Sequence, residues 1–193
     1  MSTTAKREPI QSFENKAAWA AWLAKNHAAS SGVWLRLAKK SSRASSVTYT
    51  EAIEVALCYG WIDGQKKGES QQHWLQRFVP RRSTSIWSKI NREKALSLIA
   101  RGDMKPAGLT EIERAKASGH WKDAYDSPRG ARVPSDLQAA LNANAKAKAF
   151  FATLNARNRY AVLFRIQTAR KAETRARRIQ TFVQMLEKHK TIY

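Results

Sequence analysis

Apolar and polar positions along this 193-residue chain change period several times, and each change predicts an element. Phe13, Ala17, Trp19, Ala20, Trp22 and Leu23 keep helical spacing, with Ser12 placed to cap and Glu14 in the first turn, so a first helix is expected there. Val33 to Ala38 alternates as a half-buried strand, and the Ser-rich run from Lys39 to Ser46 reads as a loop. Ile53, Ala56 and Leu57 form an apolar stripe that predicts a helix from Thr50 to Tyr59, closed by Gly60. Trp61 to Lys67 and Gln72 to Val79 read as two more strands joined by a polar connection at Gly68, giving a small antiparallel sheet. Pro80 stops the last strand. Ser83, Thr84 or Ser85 then stands where a cap is needed for a helix running to about Ala100, with Trp87, Ile90, Asn91, Lys94 and Leu98 on one face. A shorter helix is expected from Leu109 to Ser118.

Pro128, Gly130 and Pro134 mark a linker, after which the chain turns to Ala, Asn, Lys and Arg. Three helices are expected beyond it. The first carries Leu137, Ala140 and Leu141, with a break near Asn142 to Asn144 before Phe150, Phe151 and Leu154. The second carries Tyr160, Leu163 and Ile166-Gln167, and the last Ile179, Phe182, Val183 and Leu186. The expected fold class is α+β: a small antiparallel sheet packed with helices over residues 1–127, a linker at 128–133, and an all-helical module over 134–193.

Composition sharpens this picture. With 43% hydrophobic residues the chain can bury a substantial core, and all seven Trp lie between Trp19 and Trp121, which places the aromatic part of that core early. The formal net charge is +20, and from Arg129 onward 14 Lys or Arg stand against 3 Asp or Glu. Such a balance favours nucleic acid, an anionic lipid surface or an acidic protein as partner, with binding that weakens in salt; a merely solvated basic surface is the competing reading. Cys58 is the lone cysteine, so no intramolecular disulfide is possible and a cytoplasmic location is expected. No run reaches the roughly 18 apolar residues of a membrane helix, and the first fifteen positions lack a signal-peptide core, so no integral membrane segment and no export are expected.

Candidate chemistry centres on one basic block. Arg81, Arg82, Ser83 and Ser85 precede the helix expected to carry Lys89, where unpaired N–H groups and guanidinium forks suit phosphate or carboxylate; an ordinary capped helix would explain the hydroxyls equally. Trp61, Asp63, Trp74 and Trp87 are candidates for base stacking or for lining a cleft, against the alternative of core packing for the aromatics and a turn for Asp63-Gly64. A second basic surface is expected from Arg170, Lys171, Arg175, Arg177 and Arg178. His27, His73, His120 and His189 are scattered without ligand spacing, and no phosphate-loop or dinucleotide fingerprint occurs, so neither a metal nor a cofactor is predicted. No catalytic constellation is found.

Several longer segments carry a resemblance. They are Tyr49-Thr50-Glu51-Ala52, Ala56 to Gly64, Arg77 to Arg82, Ser85 to Asn91, Met104 to Gly108, Pro134 to Leu137 and Thr174 to Ile179. Through them the chain resembles the YdeI/OmpD-associated family, also called bacteriocin-protection proteins, over nearly its whole length. The resemblance implies a bacterial intracellular protein whose C-terminal helical part is the namesake module, with a link to bacteriocin or antimicrobial-peptide tolerance; it transfers no catalytic residue. The leading expectation is therefore a basic, non-enzymatic binder of an anionic partner, nucleic acid foremost, using Arg81, Arg82, Lys89 and the cations from Arg175 to Arg178. The alternatives are an enzyme or receptor for a small phosphorylated or carboxylated ligand, and an interaction module for an acidic protein.

Overall fold

The computed structural model describes residues 8–193 and has an α+β fold. The chain forms two compact units. The first comprises residues up to Trp87 together with Asn91–Lys122, and the second comprises Ser88–Ile90 and Asp123–Tyr193.

The first unit is built on a four-stranded sheet of β1 (Ile10–Ser12), β2 (Val33–Ala38), β3 (Trp61–Gly68) and β4 (His73–Pro80), in the order β1-β2-β4-β3. The sheet is mixed rather than wholly antiparallel, because β1 joins β2 in parallel. A three-residue strand leaves too short an alternation to be seen in the sequence, and Ser12, expected to cap a helix, lies in it. The cap of α1 (Lys16–Asn26) is instead Asn15, whose side chain accepts from the Ala18 N–H. The β2 alternation is borne out: Val33, Leu35 and Leu37 are buried, and the register sets Val33 opposite Phe78. On that face Trp19 packs between Trp22 and Phe78 and donates its indole N–H to the Ala52 carbonyl of α2 (Tyr49–Cys58) at 3.1 Å. Thr48 and Glu51 close a reciprocal capping box that starts α2. On the opposite face Trp34 sits across from Arg77, Lys67 lies 4.5 Å over the Trp34 ring, and bidentate pairs join Arg36 to Glu69 and Arg77 to Glu8.

Asp63-Gly64 lies inside β3 and is not a turn: Asp63 pairs with Phe78, and Gly64 and Gln65 form a β-bulge. The register shifts between Asp63 and Lys66, and the buried Gln76 amide donates to the Gly64 and Gln65 carbonyls that the bulge takes out of the ladder. The helix expected to begin at Ser83 to Ser85 begins later, as α3 (Lys89–Ala100). The hydroxyl of Ser85 accepts from the Arg82 N–H, and its own N–H donates to the Arg82 carbonyl, which closes a tight turn in place of a cap. Next, α4 (Pro106–Ala117) starts three residues before the predicted Leu109, on a proline suited to the first helical turn.

The second unit holds four helices, α5 (Ser135–Asn142), α6 (Ala145–Thr153), α7 (Ala156–Gln167) and α8 (Ala172–Glu187), around Leu137, Leu141, Phe151, Val162, Ile166, Ile179, Phe182 and Leu186. Four form where three were expected because the break at Asn142 to Asn144 is a full helix boundary: Asn144 caps α6 by accepting from the Ala147 N–H. Asn155 does the same for α7. The buried Asn158 side chain then ties the end of the chain down, accepting from the Ile192 and Tyr193 N–H groups at 3.1 and 2.9 Å. Among the described residues no helix is long and apolar enough to cross a membrane.

Candidate functional site

The basic block after β4 turns largely inward. Arg81 is 5% exposed, its N–H donates to the Gly60 carbonyl, and its guanidinium lies 3.5 Å over the ring of Trp87, itself 2% exposed. Trp87 meets Trp121 edge to face, and Arg81 also donates to the Ile86 carbonyl. Arg82, Ser83 and Ser85 border the same place with Glu111, Arg114 and His120, but the space they enclose is about 10 Å³, room for no more than a water. Arg82 and Ser83 are exposed.

Trp61 is also core. It is 1% exposed, donates its indole N–H to the His27 carbonyl and meets Trp22 edge to face. Trp61 and Trp87 thus offer no surface for a base. The segment around them is a packing joint: Gly60, at φ +73°, lies against the Ala107 carbonyl of α4, and Gly108 of α4 lies against the Leu57 and Cys58 carbonyls of α2. Burial raises the Cys58 thiol above its ordinary range, which keeps it protonated and unreactive.

Asp63 and Trp74 each contact Tyr49 elsewhere in this unit. The hydroxyl of Tyr49 donates to the Asp63 carboxylate at 2.8 Å, and the Tyr49 ring lies 6.0 Å from that of Trp74. Tyr49 opens α2 and Trp74 lies on β4, opposite Leu37, and both residues line one groove. The Ser-rich loop lines it too, with Lys39, Lys40, Ser42 and Ser46, and the groove holds about 560 Å³. Tyr49 is 40% exposed and Trp74 is partly exposed. Lys39 and Lys40 have no carboxylate partner among the described residues. This arrangement can stack a flat ring and neutralise an adjacent anion. Tyr49 heads one of the family-like segments but was absent from the sequence-based site set, because a tyrosine just before an expected helix names no chemistry by itself.

The remaining cations sit in the second unit, by its own contacts. Lys89 pairs with Asp126 at 2.6 Å, and its N–H donates to the Tyr125 carbonyl. Arg175 grips Asp136 with two donors and reaches the Ile166 carbonyl with a third. Arg170 pairs with Asp123, and Arg178 donates to the Arg165 carbonyl. Lys171 and Arg177 are exposed without a carboxylate partner among the described residues. Lys89 and Arg175, expected in two separate basic surfaces, border a single cavity with Asp126, Arg132 and Gln167. Asp126 and Arg132 went unnoticed in the sequence and Gln167 was read only as part of a helix stripe, because Gln167 lies 41 residues beyond Asp126 and folding alone joins them. Among the described residues, no three His, Cys, Asp or Glu side chains gather where they could hold a metal ion.

Residues 11–111 match the family model described as a domain of unknown function (DUF8412), and residues 131–189 match the model described as bacteriocin-protection, YdeI or OmpD-associated. No curated protein and no solved structure matches the chain.

Proposed function

We propose, for a chain that belongs to the DUF8412 family and to the bacteriocin-protection, YdeI or OmpD-associated family, that it is a non-enzymatic cytoplasmic binder of single-stranded nucleic acid. One observation carries this reading: Tyr49 and Trp74 present two accessible rings in a groove that Lys39 and Lys40 also line. Proteins that hold single strands without sequence preference combine such a ring platform with cations along the backbone path, and every base has a face to offer. The overall charge of +20 supplies the long-range attraction, and Lys171 and Arg177 add to it from the second unit. The proposal extends to a part in bacteriocin tolerance, which the description of the family that residues 131–189 match supports.

The reading moves the binding surface away from Arg81, whose charge is committed to Trp87. The test is fluorescence anisotropy of a labelled single-stranded oligonucleotide across a salt series. Affinity should fall steeply with salt, and Lys39→Ala/Lys40→Ala should flatten the log–log slope by about 1.4, at roughly 0.7 per phosphate contact on a single strand. Trp74→Ala should weaken binding about 5- to 160-fold, the equivalent of losing one stacked base at ~1–3 kcal/mol. Equal affinity of the Trp74 variant and the parent, with circular dichroism unchanged, would refute the groove as the binding surface.

A further inference from the structure

The second unit contains a cavity of about 440 Å³ lined by Lys89, Asp126, Gly130, Arg132, Val133, Pro134, Leu163, Gln167 and Arg175. That volume lies within the roughly 300–1,000 Å³ of small-molecule sites. Its polar groups are fixed from several directions. The Asp126 N–H donates to the Gln167 side-chain oxygen at 3.1 Å, the Gln167 amide returns a hydrogen bond to the Asp126 carboxylate at 2.6 Å, and the Tyr160 hydroxyl donates to the Asp126 carbonyl at 2.9 Å. Burial works to raise the Asp126 pKa, but the hydrogen bonds from Lys89 and Gln167, with the charges of Lys89 and Arg132, outweigh it and keep the carboxylate ionised.

The charge pattern specifies a ligand. Three cations border the cavity against one carboxylate, so it favours an anion. Lys89 is spent on Asp126 and Arg175 on Asp136 and Ile166, whereas Arg132 is exposed and has no carboxylate partner among the described residues. Arg132 is therefore the group able to take a phosphate or carboxylate in a two-pronged grip. Each Asp126 oxygen already accepts one hydrogen bond and keeps a lone pair for another. Because the Lys89 ammonium sits on that carboxylate, a second ammonium is repelled and a neutral hydroxyl is the favoured donor. Val133, Pro134 and Leu163 supply an apolar wall for a carbon skeleton.

We propose that this cavity binds a small polyhydroxylated anion, with Arg132 anchoring the phosphate or carboxylate and Asp126, held by Gln167, reading a hydroxyl. The site stands independently of the nucleic-acid groove. The test is isothermal calorimetry on the full chain at fixed ionic strength, with glucose 6-phosphate, gluconate, inorganic phosphate and glucose as probes. Saturable binding of glucose 6-phosphate or gluconate is expected, at least tenfold tighter than inorganic phosphate or glucose, and which of the two wins identifies the anionic group. Arg132→Met should weaken it at least tenfold, while Arg129→Met, an equal loss of charge outside the cavity, and Trp74→Ala should leave it unchanged. Asp126→Asn should remove the preference over inorganic phosphate without removing phosphate binding. No saturable binding of either polyhydroxylated probe, equal losses in the two arginine variants, or inorganic phosphate binding as tightly as glucose 6-phosphate would overturn the proposal.

Discussion

The Arg81 guanidinium lies flat over the Trp87 ring, 3.5 Å from its centre, with both side chains almost wholly buried. A buried cation is costly unless its surroundings compensate it, and here an aromatic face and the Ile86 carbonyl take part. Arg81→Ala should lower unfolding stability by about 2 kcal/mol or more in urea denaturation, since it removes a desolvated cation–π contact and leaves a void beside Trp87. Arg82→Ala, one residue on and exposed, should be close to neutral. In oligonucleotide binding Arg81→Ala should differ little from the parent, which separates a structural arginine from a ligand-binding one.

The joint between α2 and α4 depends on a missing side chain. A Cβ at Gly108 would stand 2.5 Å from the Cys58 carbonyl oxygen and 2.7 Å from that of Leu57, and neither backbone group can retreat without moving α2. At Gly60 the positive φ adds strain to a 2.9 Å approach to the Ala107 carbonyl. Gly108→Ala and Gly60→Ala should each lower the melting temperature markedly, whereas Gly68→Ala, with nothing within 4 Å, should not. Thermal denaturation of the three variants checks this, and equal melting temperatures would refute the joint.

These cases show which parts of the fold the sequence discloses. Local signals read true where the short-range pattern is self-sufficient: Val33 to Ala38 alternates and forms β2, and the Ile53, Ala56 and Leu57 stripe is buried on α2. They mislead where two local options compete. Ser85 can cap a helix or close a turn on Arg82, and the burial of Arg81 and Trp87 selects the turn. Trp61 and Trp74 both read as uncertain aromatics, and only the placement of Trp22 and Tyr49 sends the first to the core and the second to a groove. Of the polar cavity only Lys89 and Arg175 were legible, each as part of a different basic surface, because Asp126, Arg132 and Gln167 belong to separate segments with no recurring spacing.

Acid sensitivity follows from the carboxylates gripped by arginine. Hydrogen bonds from the Arg175 guanidinium, opposed by partial burial and aided by the Leu137 N–H, hold the Asp136 carboxyl below its ordinary range. The Arg77 guanidinium does the same for Glu8. A carboxylate whose folded pKa is depressed lends stability that is fully present above its unfolded value, near 4, and is lost as pH falls through the folded value. Stability should therefore be level above about pH 5 and decline on further acidification. Asp136→Asn should be the less stable protein at neutral pH, and its deficit should shrink as the parent's Asp136 takes up its proton. Asp136 is 43% exposed, so solvent screening limits the deficit to about 1 kcal/mol or less. Urea midpoints of the two proteins from pH 7 to pH 3 check the sign, and a gap that widens toward acid would show that the Arg175 pairing does not stabilise the fold.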